Sequence, residues 1–211
     1  SGENVSNNKF LTASASPGEY TLTYTEQNAN GCERKENIIF KVYDLPAPKW
    51  VDDAIYADIK SKSFDLTGFV SPSGGMFSGN NVTESGIFNA SAAGEGAHEI
   101  TYTVQNANGC SVSAQKTVQV LFTPVQCADT ERCGPGAITL TASGGKTYLW
   151  YTDNGGFVPI SGQTGATLIQ TIDKTTVYGV QATNPQGFKS EIKRVTATVH
   201  PLPDFTLQSG G

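Results

Sequence analysis

Thr23–Cys32 reads TYTEQNANGC and Thr101–Cys110 reads TYTVQNANGC. Nine of the ten positions are identical, and the two cysteines stand 78 residues apart (110 − 32). A near-copy at that distance marks a chain built by repeating one domain-sized unit. Within the second copy Ile100, Tyr102 and Val104 alternate with Thr101 and Thr103, the two-residue period of a strand with one buried face. Asn108-Gly109 interrupts that period and a second strand opens at Cys110. The string therefore predicts a β-hairpin closed by a type I′ turn, whose two central residues both need positive φ. The first copy predicts the same, with Leu22 and Tyr24 inward and Asn30-Gly31 at the turn. A third strand of this kind, Tyr178-Gly179-Val180-Gln181-Ala182, leads into what reads as a different turn, through Pro185 and Gly187.

Working outward, an alternating apolar run closes each unit: Ile38, Phe40, Val42; then Val118, Val120, Phe122; then Val195, Ala197, Val199. Prolines follow each run, at Pro46 and Pro48, at Pro124, and at Pro201 and Pro203. Proline fixes φ and cannot donate to a strand ladder, so these positions read as short, stiff linkers. No sustained 3.6-residue period occurs, and the chain reads as all-β: tandem immunoglobulin-like β-sandwich domains joined by short proline-containing linkers. Residues 1–45 match only the later part of the repeat, with Ser1-Gly2 aligned on Ser78-Gly79. Residues 46–123 are a complete repeat, 124–203 are a domain of a second type, and 204–211 open a further one. The chain thus reads as a fragment that begins inside a repeat. Half a sandwich exposes a sheet edge and a face, so residues 1–45 are expected to be unstable unless something completes them.

The third segment carries its own marker. Ala137–Ser143 alternates Ile138 and Leu140 with Thr139 and Thr141, Gly144-Gly145 breaks the strand, and Tyr148-Leu149-Trp150-Tyr151 begins the next. A Trp in the middle of an early strand packs between the two sheets of an immunoglobulin-like sandwich, so Trp150 is expected in the core. Trp50, just after a proline cluster, is expected to pad the junction between the first two segments.

Several strings resemble known repeats. Leu66-Thr67-Gly68, Gly74-Gly75-Met76-Phe77-Ser78-Gly79, Phe88-Asn89-Ala90 and Thr101-Tyr102-Thr103 with Asn108-Gly109-Cys110 resemble the immunoglobulin-like and polycystic-kidney-disease-like repeats of giant Bacteroidetes surface proteins, including gliding-motility adhesins. Arg132-Cys133-Gly134-Pro135-Gly136, Leu140-Thr141-Ala142-Ser143-Gly144, Tyr148, Trp150-Tyr151 and Thr175-Thr176-Val177-Tyr178 resemble a second, immunoglobulin-like repeat of the same proteins. The resemblance implies export by type IX secretion and display on the cell surface, associated with the outer membrane, as a long array. It also implies that the cysteine after the Asn-Gly turn pairs with one near the start of its own domain. This chain departs from that pattern: Ile55, Tyr56 and Ala57 stand near the expected partner of Cys110, and Phe188 stands at the matching position of the third segment. Cys127 and Cys133 are the disulfide candidates, as a local clip. Cys32 and Cys110 are candidates for unpaired thiols, or for a bond across a domain junction.

Other chemistry is sparse. The thiols lack a CxxC pair and neither His98 nor His200 is near them in sequence, which weighs against zinc. Two histidines leave little room for a Ser-His-Asp or Cys-His arrangement, and both sit at strand ends. Asp52, Asp53 and Asp58 offer the carboxylates that calcium takes, and solvated loop acids are the plainer reading. Gly74-Gly75 and Gly155-Gly156 precede no helix and read as turns or bulges rather than phosphate loops. Tyr151 and Phe157, if exposed, would offer a sugar-stacking pair. A net charge of −5 with scattered basic residues argues against nucleic acid as partner. No stretch reaches the roughly 20 apolar residues that membrane insertion needs. The partners expected are neighbouring repeats of the same chain and a polysaccharide, host or substrate surface. The function expected is a non-enzymatic, adhesive or structural stalk; a spacer or carbohydrate-binding module of a secreted polysaccharide-degrading enzyme is the alternative.

Overall fold

The computed structural model describes residues 2–7 and 9–204, so the further repeat expected from 204 lies, apart from Asp204, outside the described residues. The chain divides into two compact units. One holds the stretches up to Ile55, Lys62–Ala92 and Ala97–Val118; the other holds Tyr56–Ser61, Ala93–Gly96 and the chain from Gln119.

The chain opens with two antiparallel pairs, β1 (Val5–Ser6) with β2 (Lys9–Phe10) and β3 (Gly18–Gln27) with β4 (Glu33–Val42). There follow β5 (Lys49–Trp50), β6 (Ile55–Asp58), β7 (Phe64–Asp65), β8 (Val70–Ser71), β9 (Met76–Ser78), β10 (Ile87–Phe88), β11 (Gly96–Gln105) and β12 (Ser111–Leu121). Strands β6, β12, β11 and β9 form one sheet in that order, while β5 pairs with β8 and β7 with β10. The alternation in β11 does what its period predicts: Ile100, Tyr102 and Val104 are buried, as are Val118 of β12 and the covering Leu66, Phe77 and Phe88. Trp50 is a packing residue, but its partners lie within its own repeat. Its ring meets Phe77 and Tyr102 edge-on at 6.1 and 6.5 Å, and its Nε1 donates to the Ala114 carbonyl at 3.2 Å.

The second unit is a two-sheet sandwich. A sheet of β13 (Gln126–Cys127), β15 (Gly136–Ser143) and β18 (Thr167–Ile172) faces a sheet ordered β14 (Thr130–Cys133), β20 (Lys193–His200), β19 (Thr176–Thr183), β16 (Thr147–Asp153) and β17 (Phe157–Pro159). The first strand changes sheets at Ala128-Asp129. Beyond that point β14 runs parallel to β20, from Thr130 opposite Ala197 to Cys133 opposite His200, and the Asp129 carboxylate accepts the Thr196 N–H at 2.8 Å. Ile138, Leu140, Ala142, Leu168 and Ile172 form one wall of the core; Tyr148, Trp150, Tyr178, Val180, Ala182, Val195 and Ala197 form the other. Trp150 stands opposite Val180, is fully buried, and donates from Nε1 to the Gly165 carbonyl at 2.9 Å. This is the all-β, immunoglobulin-like arrangement expected.

The turns differ from expectation, and the difference is informative. In the first hairpin Gly31 N donates to Asn28 O at 3.0 Å, and Asn28 N to Cys32 O at 3.1 Å. The Asn28 side chain accepts the N–H groups of Asn30 and Cys32, each at 3.0 Å. Gly31 has φ +81°, whereas Asn30 is absent from the positive-φ residues, so this is a type I turn closed by a glycine bulge and not type I′. Asn106 and Gly109 repeat the arrangement, with 3.0 Å bonds from Asn108 N and Cys110 N. So do Asn184 and Gly187, with 3.0 Å bonds from Gln186 N and Phe188 N. The third turn is therefore the same turn, not a different one. Its signal is Asn-x-x-Gly, recurring every 78 residues at Asn28, Asn106 and Asn184. Pro185 fits it because proline is favoured at the second position of a type I turn.

The likeness between the first two segments extends upstream of the hairpin. Gly2 (φ +150°) approaches the Thr21 carbonyl as Gly79 (φ +145°) approaches that of Glu99; an added Cβ would come within 3.1 and 2.9 Å respectively. Asn4 and Asn81 are both left-handed, at φ 58° and 60°. Val5 bridges Phe10 as Val82 bridges Phe88. Phe10 lies 5.1 Å from the Tyr20 ring, and Phe88 lies 5.8 Å from His98. In these contacts the first segment from Gly2 onward repeats the second from Gly79 onward.

Two stability measurements follow. Trp150→Ala removes a buried indole and leaves the Gly165 carbonyl without its donor, so unfolding of the second unit should lose about 3–5 kcal/mol. Asn184→Ala should cost that unit about 1–2 kcal/mol, because two backbone donors lose their acceptor. Gln186→Ala, which keeps the N–H, should cost less than about 0.5 kcal/mol. Denaturant melts of the three variants check this, and equal losses for the two turn variants would refute the role given to the Asn184 side chain.

Candidate functional site

The residues singled out for chemistry do not converge. All four cysteines are free thiols. The expected Cys127–Cys133 clip is not formed: Cys127 lies on β13 opposite Ala142, and Cys133 ends β14 opposite His200 in the other sheet. The change of sheet at Ala128-Asp129 separates them. Cys32 and Cys110 occupy the same place, directly after the glycine of their turns. Asp52 and Asp53 are exposed beyond β5. Asp58 ends β6, where its carboxylate accepts the Lys60 N–H at 2.9 Å. Among the described residues no three His, Cys, Asp or Glu side chains gather as metal ligands. His200 pairs with Glu131 at 3.1 Å on the surface, and His98 packs on Phe88. Tyr151 is buried, its hydroxyl 3.3 Å from the Gln181 side chain, while Phe157 lies against it edge-on under the Arg194 guanidinium. An exposed sugar-stacking pair is therefore not formed there; the next strand covers Tyr151. Gly75, from one of the glycine pairs, lies so close to Tyr102 that an added Cβ would come within 2.6 Å of its ring, and its N–H donates to the Tyr102 hydroxyl at 2.8 Å.

The feature that stands out is an apolar face on the first hairpin. Tyr24 is 62% exposed and Phe40 42%, although their counterparts 78 residues on, Tyr102 and Val118, are 1% and 0% exposed. Tyr24 is thus not inward, contrary to the sequence expectation, because nothing among the described residues covers it as Phe77 and Trp50 cover Tyr102. Phe10 shields one end, stacked on Phe40 at 5.7 Å. The remainder is an open cleft of about 510 Å³ lined by Val5, Phe10, Leu22, Tyr24, Ile38 and Phe40. Sequence periodicity identified these residues as apolar. The bare face follows instead from the match of residues 1–45 to only the later part of the repeat, since burial depends on strands remote in sequence.

The Cys127 thiol is perturbed by its surroundings. Burial pushes it up, against an opposing backbone hydrogen bond at Thr141. A thiol raised in the folded state keeps its proton longer than in the unfolded chain. Its contribution to stability is present below the unfolded pKa and lost as pH rises through the folded one. Iodoacetamide should therefore alkylate exposed Cys133 before Cys127, and the pH midpoint for Cys127 should lie above the ordinary thiol range. Mass-spectrometric site occupancy against pH reads this, and equal rates at the two sites would contradict it.

No curated protein is similar to the chain. Among solved structures, it is similar to a calcium-stabilised adhesin with which an Antarctic bacterium binds ice, at 13% identity and a TM-score of 0.35, covering 87% of this chain and 57% of that one. It is also similar to extracellular domains 3–5 of Drosophila OTK, at 14% identity and a TM-score of 0.35, covering 87% and 71%. A third is SGBP-B of the Bacteroides ovatus mixed-linkage glucan utilization locus, solved in complex with a mixed-linkage heptasaccharide, at 15% identity and a TM-score of 0.23, covering 89% and 54%. Likenesses of this size carry no argument about function. The family model described as "Ig-like domain CHU_C associated" matches residues 122–201, so the resemblance to immunoglobulin-like repeats holds over the second sandwich.

Proposed function

We propose that this chain is a non-catalytic segment of a long secreted cell-surface protein, a stalk of stiff β-sandwich beads that carries a binding region away from the cell. The observation that carries the reading is the recurrence of one closing hairpin, with the same side-chain-anchored turn at Asn28, Asn106 and Asn184. A chain that repeats its structural unit while its chemistry-bearing side chains stay scattered is suited to spanning distance. Under this reading the beads are residues 46–123 and 124–203, with 1–45 the later part of another. Pro46, Pro48, Pro124, Pro201 and Pro203 all fall outside the strands, where they limit bending at the joints. The parent proposed from the sequence strings is a Bacteroidetes adhesin of the gliding type, exported by type IX secretion and held at the outer membrane; the match of residues 122–201 to an immunoglobulin-like domain family supports the sandwich bead within it. Its partners are then neighbouring repeats and a polysaccharide, host or substrate surface met by the whole array.

Single-molecule pulling on the full chain tests the stalk. Two resisted unfolding steps are expected, each releasing about 25 nm, from roughly 80 residues at ~3.5 Å each less the folded span. Extension without resistance would contradict it. On a glycan panel the chain itself should stay unbound; specific capture of one sugar would make it a carbohydrate-binding module instead.

A further inference from the structure

We propose that the bare face of β3 and β4 is a strand-accepting site whose occupant is a polypeptide segment patterned like residues 46–77. That segment would lay one short strand along each outer edge of the hairpin and fold its aromatic side chains over Tyr24. The proposal rests on the internal repeat and stands whether or not the chain is a stalk.

The second segment shows what such a face takes. Its closing hairpin, β11–β12, has β9 on one edge, with Phe77 opposite Tyr102 and Met76 opposite Thr103, and β6 on the other. Phe77 lies 4.7 Å from the Tyr102 ring and Trp50 lies 6.5 Å from it. The Tyr102 hydroxyl donates to the Pro72 carbonyl at 2.6 Å and accepts from Gly75 N. All of these partners except Ser78 of β9 come from residues 46–77. The third closing hairpin, β19–β20, likewise has a strand on each edge, β16 and β14.

The first hairpin matches β11–β12 in turn and in the position of Gly2, yet among the described residues β3 and β4 pair only with each other. Two strands alone leave ladder groups on both edges open to a further strand. Its cleft presents Leu22, Tyr24, Ile38 and Phe40 where the second segment buries Ile100, Tyr102 and Val118. An added strand would gain affinity from main-chain hydrogen bonds and specificity from the side chains entering the cleft. Residues 46–77 have both parts. Ile55 and Ala57 lie on an edge strand, and Trp50, Leu66 and Phe77 supply the apolar cover.

The test extends the full chain at its N-terminus with a second copy of residues 46–77, so that Phe77 of the copy joins Ser1, the counterpart of Ser78. The control is the same extension carrying Trp50→Ser, Ile55→Ser, Leu66→Ser and Phe77→Ser. Amide hydrogen exchange by NMR is read at Leu22, Tyr24, Thr25 and Ile38, with β11–β12 as the internal check of folding. Expected is a slowing of about tenfold or more with the native extension and none with the control, as local opening is suppressed. The proposal falls if the native extension gives no slowing, if the control slows exchange equally, or if β11–β12 loses protection without a gain in β3–β4. It also falls if the unextended chain sediments as a dimer with β3–β4 already protected, since the occupant would then be a second copy.

Discussion

The carboxamide of one asparagine sets the register of each closing hairpin. By accepting two backbone N–H groups across the turn, Asn28, Asn106 and Asn184 each fix where one strand ends and the next begins. A slip of one residue would turn every apolar side chain of a strand to the opposite face. The turn therefore decides that Ile100, Tyr102 and Val104, and Tyr178, Val180 and Ala182 at the same positions, all face their cores. The glycine three residues later is the one residue that accepts the positive φ closing the bulge.

A register-perfect hairpin is still only part of a sandwich. β11–β12 and β19–β20 have strands along both edges and aromatic or aliphatic side chains over their inner faces, and there the apolar residues are buried. With the same turn, β3–β4 leaves Tyr24, Ile38 and Phe40 in solvent. The contrast within one chain separates local from non-local contributions: turn and strand form from neighbouring residues, whereas burial needs a segment many positions away.

Much of this was legible in the sequence. The 78-residue repeat and the period-2 runs sufficed for an all-β, immunoglobulin-like fold, since alternation reports one buried face directly. The turn type was misread because Asn-Gly is a strong type I′ signal, and it drew attention from the asparagine two positions earlier. Asn184-Pro185-Gln186-Gly187 lacks the Asn-Gly pair and so looked unrelated, although it retains the two residues that matter. Tyr24 and Tyr151 were misplaced for complementary reasons: strand period assigns a face but not what covers it. Among the described residues the first lacks its cover, and the second is covered by Phe157 from the next strand. The proximity of Cys127 and Cys133 in sequence hid the change of sheet between them. Asp52, Asp53 and Asp58 likewise lie close in sequence without gathering in space.

The central claim is that identical turns and registers give closed sandwiches only where flanking strands cover the hairpin. Residue-resolved amide hydrogen exchange on the chain as it stands tests it most directly. The account predicts strong protection along β11–β12 and β19–β20 and fast exchange along β3–β4, despite their shared turn. Equal protection across all three hairpins would contradict it.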